Sequence, residues 1–183
     1  SLDPGLVQSY FFGGVVIVRD QSSIKKGIEF LERGLKRNPG NWEIPYWIGF
    51  GYYQLPDYLK SAEFYEKAAH LPGAPGFLVS IQPMNYYKAG RADLGALYLQ
   101  GLKKSLKDPD QLKWIEKKLN WLNNIVYLSE KIGRFKAAFG YCPESLQKLK
   151  EAGLINNIPA DPFGGGYYIE REGCKIKSKF DQK

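Results

Sequence analysis

Small and aromatic residues recur at a spacing of 34 through the first two-thirds of the chain, and few folds accommodate that period. Gly27, Ser61 and Gly95 form one register, and Phe30, Phe64 and Tyr98 a second. Leu31, Tyr65 and Leu99 form a third, and Gly34, Ala68 and Leu102 a fourth. A unit of this length, with bulky and small residues in fixed places, is the mark of stacked helical hairpins. Bulky side chains fill the space between helices, and small ones let two helices approach closely. The expected fold is mostly α: antiparallel hairpins stacked into an α-solenoid of about three repeats. A capping helix and a small C-terminal helix and β-hairpin module follow. The expected divisions are 1–109, 110–140 and 141–183.

Within residues 42–73, Trp42, Tyr46-Trp47, Gly49, Tyr52-Tyr53, Asp57, Ser61, Tyr65, Ala68 and Leu71-Pro72 stand at the spacing of a tetratricopeptide repeat, which the segment resembles. Ser61 replaces the usual Ala, and Pro56 stands where a turn Gly is common. Residues 8–41 and 76–109 resemble it less closely. The first carries Gly13-Gly14 and a Val-rich run in its first helix, and the second carries Pro83 there. In that family the first helix of each hairpin lines a concave face. Carried over by register, the resemblance implies a groove of Phe12, Val16 and Arg19, then Glu43, Tyr46, Phe50 and Tyr53, then Phe77, Met84 and Tyr87. This lining is aromatic, and it lacks the family's Lys, Arg and Asn clamp for a C-terminal carboxylate. It suits an apolar or amphipathic protein segment, or else the protein's own long helix or tail fills it.

Asp108 before Pro109 is a helix start, with a carboxylate at the positive end of the dipole. Leu112, Ile115, Leu119, Leu122 and Val126 follow at steps of 3 and 4, and Ile132, Phe135 and Phe139 resume the stripe. The pattern predicts one long amphipathic helix ending at Gly140, bent near Asn123-Asn124, which caps the array. Beyond it, a short helix starts at Cys142-Pro143-Glu144-Ser145 and stops at Gly153. Tyr167 to Glu170 and Cys174 to Ser178 then read as a β-hairpin. Phe139-Gly140-Tyr141-Cys142-Pro143-Glu144-Ser145-Leu146, followed by Ile158-Pro159-Ala160-Asp161-Pro162-Phe163-Gly164, resembles the globular end of type II secretion pseudopilins. The hydrophobic N-terminal helix of that family has no counterpart here. The resemblance implies a bacterial envelope, periplasmic, secretion or pilus setting; the alternative is the cytoplasm.

Cys142 and Cys174 are either a disulfide, which suits an oxidising compartment, or two buried thiols. No metal site is expected, because Asp161, Glu170, Glu172 and Asp181 keep no recognisable ligand spacing. No cofactor motif is present, and no catalytic constellation surrounds the single His70, so no enzyme activity is expected. The net charge of +7 is uneven. Residues 1–98 hold 10 Lys/Arg against 9 Asp/Glu, and residues 99–183 hold 16 against 10. The lysines at 103, 104, 107, 113, 117 and 118 read as a solvated helix face, and no nucleic-acid partner is expected. Leu2-Asp3-Pro4 reads like the close of a preceding repeat, so the chain is read as a fragment. Membrane attachment would then come only through a missing upstream anchor. The expected role is a protein-binding scaffold; the alternative is a structural subunit whose C-terminal module makes the contacts.

Overall fold

The computed structural model describes residues 21–182, which hold seven α-helices and one two-stranded antiparallel sheet. The chain divides into two compact units, residues 1–89 and 90–183.

In the first unit, α1 (Gln21–Arg37) carries Ile24, Ile28, Leu31 and Leu35 on one buried stripe. Lys36 and Arg37 stand in its last turn, where cations favour the dipole. Asn41 opens α2 (Glu43–Gln54): its side-chain oxygen accepts the Glu43 N–H at 2.8 Å. Asp57 caps α3 (Tyr58–Ala69) by accepting the Lys60 N–H. The α1 stripe meets Ile44 and Ile48 of α2 in one apolar cluster, with Trp47, Tyr52, Leu55 and Phe64 packed against it. On its other side α2 meets α3, and Gly49 permits that approach: a Cβ there would stand 3.1 Å from the Ser61 carbonyl oxygen. A 3₁₀ turn (Gly76–Ser80) and the short α4 (Gln82–Lys88) complete the unit. Two hydrogen bonds join α4 to α3, from Asn85 Nδ2 to Ser61 Oγ at 3.2 Å and from the Tyr86 hydroxyl to Glu66 at 3.1 Å.

Burial is even in one of the expected registers. Leu31, Tyr65 and Leu99 are 5%, 4% and 0% exposed. The aromatic register is less uniform, with Phe30 42% exposed while Phe64 and Tyr98 are half-buried. The third expected repeat departs most. Pro83 lacks an N–H and cannot sit inside a helix, so the first helix shrinks to α4, with Pro83 in its opening turn.

In the second unit, α5 (Ala92–Ser105) packs Ala92, Gly95, Ala96 and Leu99 toward the long α6 (Pro109–Phe139). Asp108 caps α6, accepting the Asp110 N–H at 2.9 Å. Gly140 ends it with φ +79°, a left-handed turn that favours glycine. The helix runs unbroken through Asn123-Asn124. α7 (Leu146–Glu151) buries Leu146 and Leu149. In the sheet, β1 (Tyr167–Glu170) pairs with β2 (Lys175–Ser178), Tyr167 opposite Ser178. Two divisions expected from the sequence differ from this arrangement. The boundary falls between Ala89 and Gly90 instead of at 109/110, because α4 bonds to α3 whereas α5 packs on α6. Residues 110–140 and 141–183 share one unit, because the tail packs on α6: Trp121, fully buried, meets the rings of Phe163 and Phe180 at 6.2 and 6.0 Å.

Candidate functional site

The aromatic lining expected along α2 is where the first unit concentrates its rings. The second cluster of that unit is built on Tyr65, Ala68 and Leu78, with Trp42, Tyr46, Phe50 and Ile81 packed against it. Tyr46 stands at its centre, with ring centroids 6.1 Å from Trp42, 5.1 Å from Trp47, 5.4 Å from Tyr65 and 6.4 Å from Phe77. Phe50 meets Trp47 edge-on at 5.6 Å. Burial pushes the Tyr65 phenol well above its ordinary value, and the nearby Tyr46 and Tyr53 add to the shift. The patch is therefore dry at its base and open at its rim, where Phe77 is 54% exposed.

The structure sorts the sequence-derived lining into four groups. Phe12, Val16 and Arg19 lie outside the described residues. Glu43, Tyr46 and Phe50 lie on α2 and are half-buried, and Phe77 joins them from the 3₁₀ turn. Tyr53 is turned elsewhere. It packs edge-on with Tyr58 at 5.5 Å, and its hydroxyl accepts Lys88 Nζ at 2.5 Å, with that ammonium 4.7 Å from its ring centroid. Tyr87 cannot line an accessible groove, being 4% exposed, and Met84 is half-buried on the short α4. Part of the hollow is filled by the unit's own chain, since Leu78 is fully buried in the ring cluster.

Signals missed in the sequence concern polar groups. Ser61 reads as a small residue in a packing register, yet its hydroxyl accepts a buried hydrogen bond from Asn85. Gln82 is fully buried, and among the described residues neither end of its amide has a partner. His70 caps the end of α3, with Nδ1 2.8 Å from the Glu66 carbonyl oxygen, and it is exposed.

The second unit contains a different constellation. Cys142 and Cys174 are joined by a disulfide with their Cα atoms 5.8 Å apart, tying the end of α6 to the hairpin turn. Asn124 of α6 donates to the Ala160 carbonyl and the Tyr167 hydroxyl at 3.1 and 3.2 Å. Asp161 accepts the Phe163 N–H at 2.8 Å and the Ser178 hydroxyl at 2.7 Å, closing the loop onto β2. Gly165 is required there, because a Cβ would stand 2.7 Å from the Phe180 nitrogen. Burial pushes the Tyr167 phenol up to about 12; the Asn124 hydrogen bond opposes that shift and the Asp161 charge adds to it. Of the α6 lysines in that set, Lys113 and Lys117 are exposed, with Lys117 Nζ 4.8 Å from the Phe163 ring centroid, whereas Lys118 is 8% exposed and its Nζ lies 5.1 Å from the centroid of Trp114. Among the described residues no three His, Cys, Asp or Glu side chains gather as a metal site would need. No described helix is long and apolar enough to cross a membrane. Compared with known proteins, the chain matches no family model, and a search among curated proteins finds no match.

Proposed function

We propose that this chain is a non-enzymatic scaffold of tetratricopeptide type that binds an apolar or amphipathic protein segment on the aromatic face of α2. The observation that carries the reading is the Tyr46 ring cluster, closed beneath by Tyr65 and open at Phe77. Rings held in place by one another lose little side-chain freedom on binding, so their apolar area converts efficiently into affinity. The sequential packing of α1 on α2, α2 on α3 and α3 on α4 supports the repeat reading. The Cys142–Cys174 bond supports an oxidising compartment, in keeping with a bacterial envelope setting. The basic excess belongs to the second unit and the α2 face is built of rings, so the segment is recognised by its apolar side chains.

Titrating the chain with an amphipathic helical peptide, read by tryptophan fluorescence, tests the reading. Phe50→Ala and Phe77→Ser should each weaken binding by about tenfold or more while leaving helix content unchanged, as loss of a ring anchor does. Unchanged affinity in both variants overturns it. A second reading, a structural subunit whose pseudopilin-like module makes the contacts, is favoured by one observation: a disulfide and the Asn124 bonds hold that module rigidly on α6. Deleting residues 141–183 separates the two, since the scaffold keeps its ligand and the subunit loses its assembly.

A further inference from the structure

A cleft of about 670 Å³ opens in the second unit; three segments wall it, with Gly164 and Gly166 between the last two. Residues 144–147 at the start of α7 form one, residues 158–161 another, and Tyr167, Tyr168 and Ile169 of β1 the third. No residue of β2 lines it, so the cleft lies on the side of β1 that β2 does not cover. The ladder shows what β1 presents there. The Lys179 N–H donates to the Gly166 carbonyl at 3.0 Å, which makes that pair a hydrogen-bonded one. Antiparallel pairs alternate, so Tyr168 with Lys177 and Glu170 with Lys175 are the next bonded pairs. Tyr167 and Ile169 therefore turn their N–H and C=O groups outward, and among the described residues nothing satisfies them. An open edge of this kind is a template for another strand.

The charge of the walls narrows the occupant. This unit holds 17 Lys/Arg against 11 Asp/Glu, yet the only charged residues lining the cleft are Glu144 and Asp161. Among the described residues Glu144 makes no ion pair within 4.0 Å; the nearby Lys148, which its charge also favours, is paired with Glu151 at 2.8 Å. Asp161 remains fixed by the Phe163 N–H and the Ser178 hydroxyl. The remaining walls include Leu146, Ile158, Pro159 and Ile169, which offer apolar contact.

We propose that the cleft accepts an extended protein segment carrying lysine or arginine between apolar residues, which adds to β1 as a third strand. The backbone of Tyr167 and Ile169 supplies the ladder bonds, Glu144 and Asp161 hold the basic side chains, and the apolar walls take the alternate ones. The site is independent of the α2 face and stands whether or not that face binds a partner.

The probe is a fluorescent hexapeptide of alternating valine and lysine, titrated into the whole chain by anisotropy. Comparison peptides carry glutamate for lysine, or proline at the centre. The lysine peptide should bind about tenfold or more tightly than either, and should slow hydrogen exchange at the Tyr167 and Ile169 amides. Ile169→Pro removes an outward N–H that β2 does not use, a position where edge strands tolerate proline. Glu144→Lys reverses the charge of an exposed side chain, and circular dichroism checks that the fold is kept. Each should reduce affinity by about tenfold. Equal binding of the lysine and glutamate peptides, protection at residues 43–77 instead, or unchanged affinity in Glu144→Lys overturns the proposal. So does self-association through β1 that the peptide does not displace.

Discussion

Gly51 of α2 and Ile28 of α1 are packed so closely that a Cβ on Gly51 would stand 2.8 Å from Ile28 Cγ1 and 3.0 Å from its Cδ1. Ile28 is itself buried in the α1–α2 core, so it has little room to yield. The cross-over of these two helices is thus set by a missing side chain, as the Gly49 contact sets that of α2 with α3.

That contact decides the sign of a substitution. In an open helix position, Gly→Ala gains about 1 kcal/mol from helix propensity. Gly133 in α6 has nothing within 4 Å of an added Cβ, so Gly133→Ala should stabilise by roughly that amount. Gly51→Ala must overpack a core contact, at about 1–3 kcal/mol, and should be destabilising on balance. Urea unfolding of the two variants should move the midpoint in opposite directions. A stabilised Gly51→Ala would contradict the close approach.

The disulfide closes a loop between positions 32 apart in sequence. Constraint of the unfolded chain by such a loop is worth about 3–4 kcal/mol. Replacing both cysteines with serine should lower the stability of the second unit by about that amount, with the first unit's transition unmoved. Mass spectrometry of the alkylated chain, with and without reductant, checks the bond directly: the unreduced protein should take up no alkyl group at Cys142 or Cys174.

Tyr167 predicts alkaline behaviour. Its folded pKa, about 12, lies above the ordinary value of 10.0, because burial disfavours the phenolate. A raised pKa means the stabilisation is fully present below pH 10 and is lost as pH rises from 10 to 12. Stability of the second unit should fall across that window, and Tyr167→Phe should flatten the fall while losing the Asn124 hydrogen bond. Ultraviolet titration of the phenolate, compared between the two proteins, reads the same event.

Much of this architecture is legible in the chain because it rests on local chemistry or strict period. Asp108-Pro109 and Gly140 bound α6, since a cap, a proline and a left-handed glycine act within one turn. Leu31, Tyr65 and Leu99 are buried, as large apolar side chains on amphipathic helices are expected to be. The hairpin follows from its strand-forming runs and turn. What escaped depends on distant partners. Pro83 reads as a break in the expected helix, but the burial of Tyr87 on the short α4, 4% exposed, depends on neighbours distant in sequence. Lys118 reads as solvated until the Trp114 ring is found beside it. The pairing of Cys142 with Cys174 depends on a 5.8 Å separation that spacing alone does not supply.

The most direct test of the scaffold reading is a photocrosslinker placed at position 77, on the open rim of the Tyr46 ring cluster, in the full-length protein in its native cells. Position 97 serves as the comparison, because Leu97 is 64% exposed but belongs to the other unit. The account predicts a discrete protein adduct at 77 that is absent at 97 and lost when Phe50→Ala is added. No adduct at 77, or the same adducts at both positions, would contradict it.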